Sequence, residues 1–276
     1  MMRPLPPLEL EAWRGTRATL QAHARLLGAL RRALAPPEPH WWHVSLEPVA
    51  EGLRSAWLPL TPELAFESTI DLEAHRLRVS TSDGRGWALP LDGPAAPRLA
   101  SDLLDLLASL GRRPTLDLPA RDGNEPWDYD RLAAGAWWQA VRAMTGVFAA
   151  FSAELPGRSS PIQLWPHHFD LALTWFSGRR VPGVDPDDAE MAEEQMTFGF
   201  STGDATIAEA YLYATAYPWP EGLTEARLPA PASWFEGAWT GSLLRYAALR
   251  EASDPLDRLL TVLRAAHTAG AERMQD

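Results

Sequence analysis

FESTIDLEAHRLRVSTSDGRGWALPL, at residues 66–91, is the stretch of this 276-residue chain that decides its fold class. Residues 66–73 alternate apolar and polar side chains with a period of two, and residues 76–81 and 86–91 repeat the alternation. This period is typical of half-buried β-strands. Asp83-Gly84, between the second and third runs, favours a hairpin turn. The stretch therefore predicts an antiparallel meander of strands.

Long helical segments lie on both sides of this meander. Apolar residues recur at helical spacing over residues 8–34, 97–110 and 130–155. The end of the chain predicts two further helices, the second of which begins with Asp254 as N-cap and Pro255 at the first helical position. Strands and helices in separate runs indicate an α+β fold, in which antiparallel sheet packs against long helices.

The second half of the chain repeats the order of the first. After the helix at 130–155, three segments are apolar or alternate with a period of two: residues 163–176, 196–201 and 211–217. We therefore predict two pseudo-equivalent halves, residues 1–120 and 121–276, which arise by internal duplication and form one cooperative unit. The boundary falls at Arg121, in a segment rich in proline and glycine.

Composition excludes several classes of chemistry. All 25 basic residues are arginine and there is no cysteine. Pyridoxal phosphate needs a lysine, and iron-sulfur clusters need cysteine, so neither cofactor is expected. The formal net charge of −11 argues against nucleic acid or an anionic membrane as a partner, since both require a basic stripe. Without a continuous apolar run long enough for a membrane span, we expect a cytoplasmic protein with a small-molecule ligand.

Four short segments stand out: His40-Trp41-Trp42-His43-Val44, Thr81-Ser82-Asp83-Gly84, Trp165-Pro166-His167-His168-Phe169-Asp170-Leu171-Ala172 and residues 198–204. Together they resemble segments of an uncharacterised bacterial domain-of-unknown-function family. The resemblance covers nearly the whole chain. It implies a stand-alone bacterial protein, and it implies no particular activity, cofactor or catalytic residue.

Histidines in the second half are the first candidates for a site. If residues 163–176 form a regular strand, side chains two residues apart share a face. His168 and Asp170 are then neighbours on one face. His167 lies on the opposite, apolar face, where we expect it to be buried with a pKa below its usual value.

The first half offers a matching strand. At residues 40–48 a regular strand would place His43 and Ser45 on one face. If a pseudo-twofold axis brings the equivalent strands together, His43 and His168 face one cleft, as paired general acid and base catalysis requires. We therefore predict His43, His168 and Asp170 as catalytic residues in a cleft between the halves. An alternative is that each histidine satisfies a local hydrogen bond.

Aromatic side chains complete the predicted cleft. The chain contains 13 tryptophans, and those beside polar strand positions would wall a site for a planar or sugar-like ligand. The residues predicted to bind the ligand are Trp41, Ser45, Tyr213 and Trp219.

Other readings stay open. His168, Asp170 and Glu194 would supply nitrogen and oxygen ligands for a divalent transition metal. The run from Trp42 to Leu46 is similar to the His-x-Ser/Thr strand of two-histidine phosphoesterases, but Asp170 stands where the second hydroxyl is expected. Ser201 lies in a G-x-S-x-G pattern of the kind that serine hydrolases use. The tryptophans and proline-rich loops also suit a non-catalytic protein-interaction module. Enzymatic activity and oligomeric state stay undecided.

Overall fold

The computed structural model describes residues 4–118 and 127–274. The fold is α+β with two sheet-rich halves, as predicted. The chain divides into two compact units. We call Glu11–Trp138 with Gln163–Phe169 the N-terminal unit. The C-terminal unit consists of Met1–Leu10, Gln139–Ile162 and Asp170–Asp276. Arg121, the predicted boundary, lies outside the described residues.

The N-terminal unit combines long helices with an antiparallel sheet. Its elements are α1 (Leu10–Leu34), β1 (Glu47–Val49), β2 (Gly52–Arg54), β3 (Leu58–Thr61), β4 (Leu64–Asp71), β5 (Arg76–Thr81), β6 (Gly86–Pro90) and α2 (Leu99–Ser109). Short 3-10 helices, Pro39–Val44 and Gly93–Arg98, precede β1 and α2. The strand order is β1-β2-β4-β5-β6, with β3 on β4.

The predicted meander forms the centre of this sheet. Phe66 on β4 pairs with Thr81 on β5, and Ile70 pairs with Leu77. The apolar side chains at the alternating positions are buried, which explains the period of two. The strand predicted at residues 40–48 is wrong over its first part, because Pro39–Val44 form a 3-10 helix instead.

The remaining elements continue the chain through α3 (Arg131–Ser152), β7 (Arg158–Ser159), β8 (Gln163–Trp165), β9 (Asp170–Arg180), β10 (Glu193–Ser201), β11 (Tyr211–Tyr217), β12 (Ser233–Glu236), β13 (Thr240–Arg245), α4 (Tyr246–Arg250) and α5 (Pro255–Arg273). The sheet of the C-terminal unit has the antiparallel order β12-β13-β11-β10-β9-β7. At the start of α5, the Asp254 side chain accepts the Asp257 N–H at 3.1 Å, which confirms the predicted cap. Across the described ranges, no helix is both long and apolar enough to cross a bilayer.

The sheet of the C-terminal unit has two chemically different faces. One face packs on helices, since Phe198 meets Phe151 of α3 with ring centroids 4.8 Å apart and Phe200 meets Tyr246 of α4 at 5.5 Å. Residues of the opposite parity on the same strands form the other face. That face carries aromatic and polar side chains: Asp170, Ser201, Tyr211 and Tyr213.

A serine makes the same three hydrogen bonds in each unit. The Ser55 N–H donates to Ser68 O at 2.9 Å, Ser68 N–H donates to Ser55 Oγ at 3.0 Å, and that hydroxyl donates to Ala56 O at 2.9 Å. Ser160 makes the corresponding bonds with Thr174 and Pro161, at 2.7, 2.9 and 2.8 Å. Ser68 on β4 and Thr174 on β9 therefore occupy equivalent positions.

This equivalence changes the register of the predicted repeat. His168 lies six residues before Thr174 and so corresponds to Pro62, six residues before Ser68. In this register His168 does not align with His43, so the predicted pairing of the two histidines stays a prediction.

Candidate functional site

A tight turn interrupts the segment that was predicted as one strand. β8 ends at Trp165 and β9 begins at Asp170. Between them lie Pro166–Phe169, which we call the histidine turn. Phe169 has the left-handed φ of 59°, and its N–H donates to Trp165 O at 2.8 Å. The regular strand is wrong here because proline has no N–H for a β-ladder and the left-handed residue redirects the chain.

Both histidines of this turn are exposed. The expectation that His167 is buried on a face opposite His168 is therefore wrong, since the two side chains do not alternate along a strand. Their ring centroids lie 4.3 Å apart, and the Trp165 ring meets His167 edge-on at 5.9 Å. The turn thus presents two neighbouring imidazoles to solvent.

One stripe of α1 holds the histidine turn in place. Gln21 Nε2 and Arg25 Nη2 both donate to the His167 carbonyl oxygen, at 2.8 and 3.0 Å. Gly28 lies on the same stripe, and a Cβ there would come within 3.0 Å of Pro166 Cγ and 3.1 Å of Val44 O. Glycine therefore permits the close approach, since with a Cβ the turn would have to shift by a few tenths of an ångström.

Phe169 anchors the turn to the buried core. Phe169 is 1% exposed and stacks on Trp137, with ring centroids 4.6 Å apart and planes 21° apart. The Arg17 guanidinium lies 5.8 Å from the Phe169 ring centroid. Burial of this ring fixes the turn and leaves the two histidines pointing outward.

The 3-10 segment before β1 uses its histidine differently. His43 is 4% exposed, and its Nδ1 accepts the Glu38 N–H at 3.1 Å. The Ser45 hydroxyl is also internal and donates to Trp42 O at 2.8 Å. Arg31 Nε donates to the His43 carbonyl oxygen at 2.7 Å. These contacts favour the local-hydrogen-bond reading of His43 over the catalytic one.

Trp41, by contrast, lies at the surface. It is 47% exposed, and it follows His40 in a pair of residues with left-handed φ values of 54° and 58°. The Arg32 guanidinium lies over the Trp41 ring, 5.4 Å from its centroid. This cation–π contact holds a positive charge beside an exposed aromatic ring.

Positive charge is concentrated around the histidine turn. Partial desolvation, followed by the charges of His168, Arg25 and Arg32, lowers the pKa of His167 to about 4. Among the described residues, the side chains of Arg32 and His168 make no ion pair and no hydrogen bond; their contacts are with aromatic rings. The turn is therefore a local basic surface on a chain with net charge −11.

Asp170 and Tyr213 form a separate network on the sheet of the C-terminal unit. The Tyr213 hydroxyl donates to Asp170 Oδ2 at 2.5 Å. Burial, and then the charge of Asp170, raises the pKa of Tyr213 well above its usual value, so that the phenol stays protonated. Next to it, the Tyr211 hydroxyl donates to Asp204 at 2.6 Å. Trp219 is packed elsewhere, against Trp234, which it meets edge-on with ring centroids 6.2 Å apart.

The predicted metal ligands are not assembled. Glu194 is engaged by Arg179 and by the Ser177 hydroxyl near one end of the β9–β10 pair. Asp170 lies at the other end of that pair. The described part of the chain contains no group of three His, Asp or Glu side chains that could hold a metal ion.

The geometry around Ser201 does not fit the hypothesis that it is a serine-hydrolase nucleophile. Ser201 ends an antiparallel strand, and its Oγ accepts the Gly203 N–H at 3.1 Å. The chain continues into the strand β11, whereas a nucleophile elbow requires a strand followed directly by a helix.

The sequence interpretation missed the arginines of α1. Arg25 and Arg32 are seven residues apart, so they lie on one side of the helix together with Gln21 and Gly28. This polar stripe with a glycine, beside the apolar stripe that faces the core, was the available signal. Its partner in the fold, the histidine turn, lies more than a hundred residues away in sequence.

Comparison with known protein families confirms the resemblance to a domain-of-unknown-function family. Residues 5–275 match the model of a family of unknown function (DUF5996), and the chain belongs to that family. No curated protein and no solved structure matches the chain.

Proposed function

We propose that this protein binds a small molecule through a phosphate or similar oxyanion at the histidine turn. The observation that carries the proposal is the set of basic side chains at the turn: Arg25 donates to the His167 carbonyl oxygen at 3.0 Å, the His168 ring lies 4.3 Å from that of His167, and the charge of Arg32 acts on His167. A bound oxyanion would offset their mutual repulsion. Charge-assisted hydrogen bonds from guanidinium and imidazole groups to an oxyanion are also stronger than neutral ones.

The arrangement of Arg32, His168 and the backbone of the turn supports binding. The side chains of Arg32 and His168 have no carboxylate partner among the described residues, and Trp41 holds Arg32 over its ring. The turn itself is tied to α1 by two hydrogen bonds to one carbonyl oxygen. Prepositioned donors lose little conformational entropy when a ligand binds.

Charge favours a small ligand over a polyanion. The chain has 25 basic and 36 acidic residues, for a net charge of −11. A polyanion such as nucleic acid would meet repulsion from the rest of the surface, whereas a small anion meets only the local basic cluster.

The low basicity of His167 favours a binding role over catalysis of phosphoester hydrolysis. A pKa of about 4 makes its neutral imidazole a weak base at neutral pH, and general base catalysis is most effective when the pKa lies near the working pH. His43 does not supply a second catalytic imidazole, since its Nδ1 accepts a backbone N–H.

The test is calorimetric titration of the full chain with inorganic phosphate and pyrophosphate at low ionic strength. We expect saturable binding that weakens with added salt. His168→Ala and Arg32→Gln should each weaken it roughly 10-fold or more, because each removes a hydrogen-bond donor to the anion.

Arg113→Gln is the matched control. It removes the same charge from an exposed arginine of the same unit, but Arg113 already pairs with Asp105. We expect it to leave binding unchanged. Absence of saturable binding, or equal losses in Arg32→Gln and Arg113→Gln, would exclude the proposal.

A further inference from the structure

A groove runs along α1 beside the histidine turn. It has a volume of about 230 Å³ and lies within the N-terminal unit. Its apolar lining includes Ala18, Ala22 and Leu26 of α1 and Ala100 of α2. Because several of these are alanines, the two helices leave space between them at this point.

Arg25 contacts the histidine turn and also lines the groove. At 100° per residue, Gln21 and Gly28 lie to one side of Arg25 around α1, whereas Ala18 and Ala22 lie to the other. Its Nη2 donates to His167 O on the first side, and the residue lines the groove on the second. The apolar groove therefore opens next to the basic cluster at the histidine turn.

The groove has a flat aromatic wall. His23 and Trp127 both line it, and their rings stack with centroids 6.0 Å apart and planes 26° apart. His23 is fixed by a 3.0 Å contact between Nε2 and Leu91 O. The Trp127 ring gives the groove an aromatic surface on which a ligand ring can pack.

The size of the groove limits what it can hold. Sites for drug-sized ligands occupy roughly 300–1,000 Å³, and this groove, at about 230 Å³, is smaller. A single ring fits these dimensions better than a fused ring system or a long acyl chain. The basic side chains next to the groove then favour an anionic group on that ring.

We infer that the ligand of the histidine turn is a monocyclic aryl phosphate, with its ring in the groove beside Trp127 and its phosphate at Arg25, Arg32 and the two histidines. This inference rests on the proposed function, because the turn supplies the phosphate site. It adds a substrate class: one aromatic ring joined directly or by a short link to the anion.

The experiment compares inorganic phosphate with phenyl phosphate by calorimetric titration of the full chain. Phenyl phosphate should bind about 10-fold or more tightly, because it buries a ring in addition to placing the anion. Ala22→Leu should remove this gain by filling the groove and should leave the affinity for inorganic phosphate unchanged. Ala33→Leu is the same substitution at an exposed position of α1 that does not line the groove, and it should change neither affinity.

The outcomes separate the two proposals. If phosphate binds but phenyl phosphate gains nothing, or if Ala22→Leu keeps the full gain, the aryl inference is wrong and anion binding stands. If His168→Ala binds phenyl phosphate with the same affinity as the wild-type protein, the proposed anion site is wrong. Thermal melts of each variant identify any that fails to fold, in which case Ala100→Val replaces Ala22→Leu as the groove-filling change.

Discussion

The Tyr213 hydroxyl donates a 2.5 Å hydrogen bond to the Asp170 carboxylate across the intervening strand β10. It reaches that far because residue 199, which pairs with Tyr213 on β10, is glycine, and the tyrosine ring lies over it. Asp170 is 7% exposed, so this bond partly offsets the cost of taking the carboxylate out of water.

Removal of this hydroxyl should therefore destabilise the fold. We expect Tyr213→Phe to lower the free energy of unfolding by about 1–3 kcal/mol, because it leaves a buried carboxylate oxygen without its donor. Tyr217→Phe is the matched change on the same strand and face; the described residues give its hydroxyl no hydrogen bond, and it should cost less than about 0.5 kcal/mol. Urea denaturation measures both, and equal losses would contradict the role of the bond.

Gly199 should be more sensitive than other glycines. A Cβ at this position would overlap the Tyr213 ring, so Gly199→Ala should destabilise by about 1–3 kcal/mol. Gly146 in α3 is exposed with open space around it, and Gly146→Ala should instead stabilise by about 0.5–1 kcal/mol, because alanine favours the helix. Opposite signs in denaturation curves are expected; a stabilising Gly199→Ala would refute the packing argument.

The two histidines first grouped as catalytic should separate by their effects on stability. His43→Ala should lower the free energy of unfolding by about 1–3 kcal/mol, since it orphans the Glu38 N–H and empties a buried site. His168→Ala removes an exposed side chain and should change stability by less than about 0.5 kcal/mol. Calorimetric titration then gives the second readout: phosphate binding should survive in His43→Ala and fall in His168→Ala. The reverse pattern would return His43 to the site.

The pKa of His167 predicts a pH dependence of stability. It is about 4 in the folded protein and about 6.5 in an unfolded chain. Between these values the unfolded state binds more protons, so this residue makes folding less favourable as pH falls from about 7 towards 4. Wild type should thus lose more stability over this range than His167→Asn.

Phosphate binding should be coupled to protonation of His167. A bound phosphate favours the imidazolium form of His167 and raises its pKa, so binding at pH 5 should be accompanied by proton uptake at this residue. The groups that face this imidazole are His168 beside it and Arg25 and Arg32 on α1. Titrations in buffers of different ionisation enthalpy measure the uptake, and it should shrink in His167→Asn. Equal uptake in both proteins would assign it to another group.

Local sequence was sufficient for the elements that depend on neighbouring residues. The meander from β4 to β6 follows from a period of two and the Asp83-Gly84 turn, and these features act over a few residues. The cap at Asp254 is equally local, since its side chain bonds a backbone N–H three residues later. These predictions held because no distant part of the chain has to arrive for the interaction to form.

The histidine turn could not be predicted in this way. Residues 163–176 as a whole have the apolar and aromatic character of a strand, but the turn within them depends on Phe169 being buried on Trp137 and on Pro166 fitting against Gly28. Both partners lie far away in sequence. The hydrogen-bond register that relates Ser68 to Thr174 is likewise set by contacts between strands and not by the sequence around each residue.

Sequence by itself determined which residues alternate, where helices begin and which chemistries the absence of lysine and cysteine removes. Only the tertiary structure decided which side chains meet: Arg25 with the His167 carbonyl oxygen, and Tyr213 with Asp170. The physical reason is the range of the interactions. Propensity, alternation and capping act within about one turn of backbone, whereas a binding surface forms when packing brings distant segments within hydrogen-bond distance.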